Sequence, residues 1–498
     1  MVLAFHLLLY LHQPQVRRDK NWCTNVMRNW HEYGYWQMGG QLVANPGGLA
    51  AGEKPSVYPR HRPTFLIIPY LLKELPGQAV GDGSLYDTAI LALLFTGALV
   101  LMGVNTRGLV TASALCLAPG VLNNVTNIDT ISTPALVGIG VMCIACGIFS
   151  RGTTDRLRQS LAVVVMLVYM TLNWSTLFSL GVAAVYILCR VEQWKKVAVW
   201  FVAAGIAGLG VLAISLISLH QNNASPDGTG TLWNSYLWGP LGYDGTGMNF
   251  GKAFVRITAV NVIAWLSLVL AALALLSVYG RGKYWTRAAW PALAGIAAVF
   301  AMRNYNAHHP WGAVCIVGLG LVLSLDLLTA PETVPAMAKR PLVFGGLVAA
   351  LAIYLVAWLA ADEFNSRSEV PVHQLVAAHT GRHSLLVISG ELLPETPLPA
   401  NLGPYQEEFD RKVQSFDQWQ SSSTNVPAGR EVFFLAHEPF NFPGAKLVAS
   451  SEIASDWTDK ILGPLLDFYR KDISRRAPGN RKTYYEQYQL YQCVPAVP

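Results

Sequence analysis

The sequence predicts a mainly helical, polytopic membrane protein with an extracytoplasmic α/β domain at its C-terminal end. Three observations carry this. Of 498 residues, 52% are hydrophobic and only 13% charged, about half the charged share of a soluble domain. Long apolar runs recur between short polar links, and a bilayer core of about 30 Å needs roughly 20 such residues per helical crossing. From Ala361 the composition turns polar and Pro-rich.

The runs fall at 1–13, 85–104, 108–122, 131–149, 159–172, 176–189, 196–219, 257–279, 288–302, 311–330 and 341–361, about eleven helices. Their links alternate in charge. "NTRG", "SRGTTDRLR", "CRVEQWKK", "GRGKYWTR" and "AMAKRP" are short and basic, which places them in the cytoplasm. The opposite set is then outside: 14–84, "NNVTNIDTIST", "NWST", 220–256, "RNYNAHHP" and the tail. The net charge of +6 therefore reads as topology and says little about nucleic acid. The expected location is a bacterial inner (plasma) membrane, with the outer loops and tail on the periplasmic or extracellular face. The first run is short and has no preceding cations, so the true start is expected upstream; it lacks the features of a secretory signal.

This divides the chain into a membrane domain, 1–361, which includes a long first outer loop at 14–84, and an outer domain, 362–498. In the outer domain "HSLLVISGEL", "EVFFLAHEPF" and "AKLVASSEI" read as short strands. "SDWTDKILGPLLDFYRKDI" reads as a helix and "YYEQYQLYQC" as a last strand. With no phosphate loop or metal-ligand spacing, a lid or docking role is expected. Most of the seven cysteines fall in spans, where the Cys143/Cys146 pair reads as packing. Cys23 and Cys493 lie outside, either joined as a disulfide or as two unrelated thiols.

The polar chemistry sits on the outer face. "RRDKNW" places Asp19 among Arg17, Arg18 and Lys20 just after the first apolar run; a charge cluster anchored at the interface is the ordinary reading of such a run. "NVMRNWHEYGYWQMGG" begins as an amphipathic helix rich in Trp and Tyr, suited to lie in the interface. "VYPRHRPTFLIIPYLL" sets Tyr58, Arg60, His61 and Arg62 before a second short amphipathic segment, where cations favour lipid phosphate. In the second outer loop Asp129 is the lone charge, and capping the next helix is its ordinary role. "RNYNAHHPWG" holds Arg303, His308 and His309 between two apolar runs, where ionisable groups point to function.

Together these pieces resemble the membrane-embedded glycosyltransferases of the C superfamily, which include the protein O-mannosyltransferases and the aminoarabinose transferases of lipid A. "RRDKNW" is similar to their first-loop acidic motif, and "MRNWHEYGYWQMGG" with "NPGG" and "VYPRHRPTFLIIPYLL" to their paired interface helices. "NID" is similar to a second-loop acid, and "RNYNAHHPW" to the late loop that meets the donor phosphate. The resemblance covers most of 14–361 by architecture and about forty positions by motif. The chain departs from the usual pattern in having Lys20 after Asp19 and Arg62 before Pro63.

The resemblance implies transfer of a sugar from a polyprenyl-phosphate or diphosphate donor to a lipid, glycan or protein acceptor outside the membrane. A single inverting displacement needs one general base, for which Asp19 is the candidate, with Asp129 as a second catalytic acid. Arg303, His308, His309, His61, Arg62 and Tyr58 are the candidates for the departing phosphate. Some members need a divalent ion and others do not; if one is needed, Asp19 and Asp129 are its expected ligands. The rivals are a transporter or flippase of a lipid-linked intermediate, and a non-catalytic scaffold. A transporter predicts paired ionisable residues or broken helices at the bilayer midplane, often with inverted repeats, and the sequence suggests neither.

Overall fold

In the computed structural model the described residues are 22–49, 53–57, 63–73, 84–125, 128–151, 156–192, 194–221, 250–303, 306, 311–329, 341–367, 370–388, 409–421, 430–436, 439, 441–452 and 487–493. The chain is mainly helical with one small sheet, and it divides into two compact units. The first comprises 1–10, 59–78 and 82–358; the second comprises 11–58, 79–81 and 359–498.

In the first unit α2 (Thr64–Lys73), α3 (Ser84–Met102), α4 (Thr106–Cys116) and α5 (Pro119–Val125) are followed by α6 (Ser132–Ser150), α7 (Arg156–Met170) and α8 (Thr176–Arg190). Then come α9 (Trp194–Gln221), α10 (Phe250–Tyr279), α11 (Ala289–Ala301), α12 (Val314–Thr329) and α13 (Pro341–Arg367), the last running on into the second unit. Every apolar run from 85–104 onward coincides with helix. The run at 108–122 is the exception in form: α4 and α5 meet at a bend of 53°, because Pro119 at the start of α5 cannot donate to the preceding turn. Four helices are long and apolar enough to cross a membrane, or five if the bent pair is one crossing, among the described residues. The chain is an integral membrane protein. Its outward surface fits that solvent: α9 presents Val202 at 60% and Ile206 at 65% exposure, an apolar face turned away from the bundle.

With lipid as apolar as the core, helix association rests on close packing. The sequence supplies it with glycine. A Cβ at Gly147 on α6 would stand 2.6 Å from the Val100 carbonyl oxygen of α3, and one at Gly97 on α3 would stand 2.8 Å from the Gly140 carbonyl oxygen. A second glycine seam, Gly295 and Gly320, joins α11 to α12. Trp265 of α10 lies against Gly120 and Gly318 and donates its indole N–H to the Val314 carbonyl at 3.0 Å. Gly147→Val should force α3 and α6 apart, at a cost of about 1–3 kcal/mol for overpacking. The check is a lowered thermal transition in detergent, with Gly181→Val, where nothing lies within 4 Å, as the control.

The second unit holds α1 (Trp22–Tyr33), α14 (Val370–His379), β1 (Leu385–Ile388), β2 (Lys412–Ser415), α15 (Phe416–Ser421), β3 (Val432–Ala436), β4 (Ala445–Glu452) and β5 (Gln487–Cys493). The strand order is β2-β1-β3-β5-β4, parallel across the first three and antiparallel beyond. "LLVI" and "VFFLA" are apolar without alternation because β1 and β3 are covered on both faces. Leu386, Ile388, Phe433 and Leu435 pack with Val372 and Val376 of α14. Leu385, Val387 and Phe434 pack with Trp419.

The first outer loop is thus shared between units, since α1 belongs with the sheet and α2 with the bundle. The expected first interface helix is shorter than its sequence suggests: it stops at Tyr33, where Gly34 takes φ +84°, a conformation glycine reaches without strain. β2 was not anticipated. The apolar run 1–13 and the helix expected after Ser455 lie outside the described residues. All seven cysteines are free, with Cys23 buried and Cys493 half-buried on β5.

Candidate functional site

At one end of the bundle the basic loops meet. Asp326, three residues before the end of α12, is 2% exposed. Its Oδ1 lies 3.3 Å from Arg107 Nη2, and its Oδ2 accepts from the Tyr186 hydroxyl at 2.7 Å and lies 3.8 Å from Arg190 Nε. Arg107 also donates to the Met102 carbonyl at 2.7 Å, Arg190 lies over the Tyr284 ring, and Arg151 donates to the Val100 carbonyl at 2.6 Å. The links "NTRG", "SRGTTDRLR", "CRVEQWKK" and "GRGKYWTR" therefore share one end, as their alternation predicts.

This cluster is not singled out by the sequence, where paired ionisable residues are sought at the bilayer midplane. The pairing is at the helix ends rather than the midplane, where two guanidiniums compensate one carboxylate that would otherwise be costly to bury. A lone acid in "LSLDLLT" was the available signal.

At the opposite end the loops of Asp129 and Asn173 meet the start of α2. Asp129 is half-buried; its Oδ1 accepts from the Thr130 N–H at 2.7 Å and its own N–H donates to Thr133 Oγ1 at 2.9 Å. Its carboxylate is thus engaged by the next residue. Ile131 occupies the cap position of α6 with no side-chain cap bond, so the expected capping role is not the one it takes. Asn173 donates its amide to the Thr130 carbonyl, tying "NWST" to "NID". Asn173 and Asn124 are each 1% exposed, so both side chains are part of the packed interior at this end. Thr64 Oγ1 lies 2.9 Å from the carbonyl oxygens of both Thr171 and Leu172. That anchors the start of α2, two residues after Arg62, on this end.

Arg303 follows α11, which packs on α8, and is half-buried. Its loop is held by Asn306, whose amide donates to the Val299 carbonyl at 2.8 Å and accepts from the Ala313 N–H at 3.2 Å. Asp129 and Arg303 are the two candidate residues within the described part. Asp19, Tyr58, His61, Arg62, His308 and His309 lie outside it. Among the described residues no group of three or more His, Cys, Asp or Glu could hold a metal ion.

The second unit carries a polar cluster that sequence reasoning did not single out. Asp410, 1% exposed and at φ +47°, accepts from Arg28 of α1 at 3.0 Å, from Arg382 at 2.7 Å and from the Gly47 N–H at 3.0 Å. Asp is among the few side chains that tolerate that backbone region. Arg382 also donates to Asn29 Oδ1 at 2.7 Å and pairs with Glu32, which lies 2.7 Å from His383 Nε2. Glu53 pairs with Lys412 and accepts from Asn45 at 2.9 Å. Arg411 donates to the Thr380 carbonyl at 2.9 Å just beyond α14, and burial lowers its pKa to about 10. The sequence signals were faint: basic pairs at or just before strand starts, "GRHSLLVIS" and "DRKVQS".

Burial alone would raise the Asp410 carboxyl, but Arg28, Arg382 and the Gly47 N–H outweigh it and hold it below the usual carboxylate value. The cluster's contribution should therefore be complete above the unfolded value of about 3.9 and be lost as the pH falls through the lower folded value. Amide exchange of α1, followed from pH 6 downward, should stay protected through pH 4 and rise below it.

No protein-family model matches the sequence, and no curated protein matches it. Among solved structures the chain is similar to ArnT from Cupriavidus metallidurans bound to undecaprenyl phosphate, at 13% identity over 99% of this chain and 98% of that one, with a TM-score of 0.48. The same protein in its apo state aligns over 99% and 97%, at 13% identity and a TM-score of 0.37.

Proposed function

We propose that this protein is a membrane-embedded glycosyltransferase that moves a sugar from a polyprenyl-phosphate or diphosphate donor to an acceptor on the outer face, with inversion. The observation that carries the reading is the division of the bundle into two chemically distinct ends. One end holds the basic links and a closed Asp326 network. The other gathers the loops of Asp129 and Asn173 with the start of α2, next in sequence to His61 and Arg62. In this reading the chain crosses the membrane eleven times and the second end faces the periplasm or exterior.

The chemistry assigns the roles. Asp19 takes the acceptor's proton, and Asp129 helps to orient the acceptor. The phosphate gathers charge as it leaves, and fixed cations stabilise it most where water is excluded. Arg303, His308, His309, His61 and Arg62 supply those cations, and Tyr58 a hydroxyl donor. If a divalent ion takes part, Asp19 and Asp129 supply oxygen ligands of the kind such ions prefer.

The test is transfer by purified protein in lipid nanodiscs, given polyprenyl-phosphate sugars and cell-envelope acceptors. Arg303→Ala should weaken donor binding roughly 10- to 100-fold, as expected for one hydrogen bond to a charged group, with Asp129→Asn affecting acceptor KM instead. Unchanged donor affinity would remove Arg303 from the phosphate site. Vectorial movement of the lipid-linked donor without transfer would favour a flippase.

A further inference from the structure

We propose that the basic end of the bundle holds the phosphate of an anionic phospholipid, seated at Arg190 between the links "CRVEQWKK" and "GRGKYWTR". The starting observation is a charge left over. Asp326 is one carboxylate facing two guanidiniums: Arg107 Nη2 lies 3.3 Å from Oδ1, while Arg190 Nε stands 3.8 Å from Oδ2, beyond hydrogen-bond reach. Arg107 Nη1 and Arg190 Nε are buried atoms that make no hydrogen bond among the described residues. A cation withdrawn from water without a full partner is costly, so the network calls for an anion from outside the chain. Arg190 keeps 26% of its side chain exposed, which gives that anion a way in, and the deeper Arg107 adds its charge from further inside.

The fold surrounds this opening with cations. Gly280 ends α10 at φ +71°, a turn that glycine makes without strain, and the Gly282 N–H donates to the carbonyl of Leu328, two residues past Asp326. The link is thereby laid across the end of α12. Its Tyr284 ring meets the Arg190 guanidinium at 4.8 Å, and Lys283 Nζ lies 5.6 Å from the same ring. Arg287, at the end of a 3-10 turn, is within electrostatic reach of Cys189, the neighbour of Arg190 in the chain. Arg190, Lys195, Lys196, Arg281, Lys283 and Arg287 face a single acid in the two links, Glu192. Glu192 lies 3.6 Å from Lys283 in an exposed pair, of little strength against water.

The surroundings choose the kind of anion. Trp285 and Trp290 are exposed beside the link, and such rings settle at headgroup level. Basic pockets between helix ends are where lipid phosphates bind. A zwitterionic head group would bring its own cation to a rim that offers one acid, so the lipid is anionic. The site lies at the other end of the bundle from Asp129, and it holds whether or not the chain transfers a sugar.

The experiment is native mass spectrometry of the full-length protein in detergent, titrated with phosphatidylglycerol, phosphatidylcholine or inorganic phosphate, with thermal unfolding measured in the same mixtures. Phosphatidylglycerol should stay bound and raise the thermal transition, as a ligand of the folded state does. Arg190→Gln should weaken it roughly 10- to 100-fold, the loss of a hydrogen bond to a charged group. Lys283→Gln and Arg287→Gln should each weaken it about fivefold, as for cations near a lipid surface, and Lys446→Gln on β4 should leave it unchanged. If Arg190→Gln fails to fold, the double variant Lys283→Gln/Arg287→Gln, both on the exposed link, decides by a loss of more than about tenfold.

Equal affinities in Arg190→Gln, or in that double variant, and Lys446→Gln would mean diffuse attraction and overturn the site. Phosphatidylcholine bound as tightly as phosphatidylglycerol would overturn the anionic head group. Stabilisation by inorganic phosphate to the same extent would overturn the lipid.

Discussion

Asp19→Asn should lower transfer by roughly 10²- to 10⁴-fold, the range that a positioned general base contributes, while the protein folds and binds donor normally. The substitution keeps the side-chain volume and removes the one property the proposed role needs, a lone pair basic enough to accept the acceptor's proton. Arg17, Arg18 and Lys20 flank it in sequence, and a tight pair with any of them would reduce its basicity. The kinetic pattern separates the two effects. Loss of kcat with unchanged donor KM marks a base, and loss of donor affinity would mark Asp19 as part of the charge balance at the phosphate. Lys20→Gln sharpens the comparison: relieving a tight pair should shift the acidic limb of the pH–rate profile upward, and an unmoved limb would mean that Lys20 does not face the acid.

The largest effect on stability is expected at Asp326. Asp326→Leu removes the carboxylate that Arg107, Arg190 and the Tyr186 hydroxyl share, and leaves a guanidinium with only 7% of its side chain exposed uncompensated. Breaking a buried pair from one side costs about 3–5 kcal/mol. Tyr186→Phe removes one hydrogen bond and should cost about 1 kcal/mol. The double variant Asp326→Leu/Arg107→Met should recover much of the loss, because the more deeply buried charge is then gone and Arg190, 26% exposed, keeps its place over the Tyr284 ring. Thermal unfolding of the three in detergent tests the order, and an Asp326→Leu protein as stable as its parent would mean that the network carries no net stabilisation.

Much of the membrane unit was legible because its rules are local. Twenty apolar residues make a helix wherever they stand, and the alternation of basic links orders the ends without knowledge of any contact. Thus α6 begins within a residue of the expected 131, and Arg107, Arg151 and Arg190 meet at one end as their loops require. Asp326 escaped notice because its partners come from α4 and α8, helices far off in sequence. The second unit was legible strand by strand where both faces are apolar, as in β1 and β3. It was not legible in β2, whose "KVQS" carries two polar side chains to a half-buried edge.

The pairing of α1 with the tail was hidden for a plainer reason. Arg28 and Asp410 are 382 residues apart, and nothing in "MRNW" or "EFDRK" distinguishes ion partners from solvated charge. Of the candidate site, Asp129 and Arg303 have defined surroundings, and the sequence had named both residues but not Asn173, Thr64 or Asn306, which hold their loops.

The sheet order also sets a timetable for biosynthesis. β5 lies between β3 and β4, so when Ala445–Glu452 leaves the ribosome its partner Gln487–Cys493 has not been made. Until it arrives β3 has one open edge and β4 has none of its neighbours, a state prone to wrong pairing. The helix at Trp22–Tyr33, translated long before Asp410, waits for that carboxylate to pair with Arg28. A ribosome stalled before the Asp410 codon would therefore present a nascent chain whose membrane helices can already insert but whose helix at Trp22–Tyr33 has no dock.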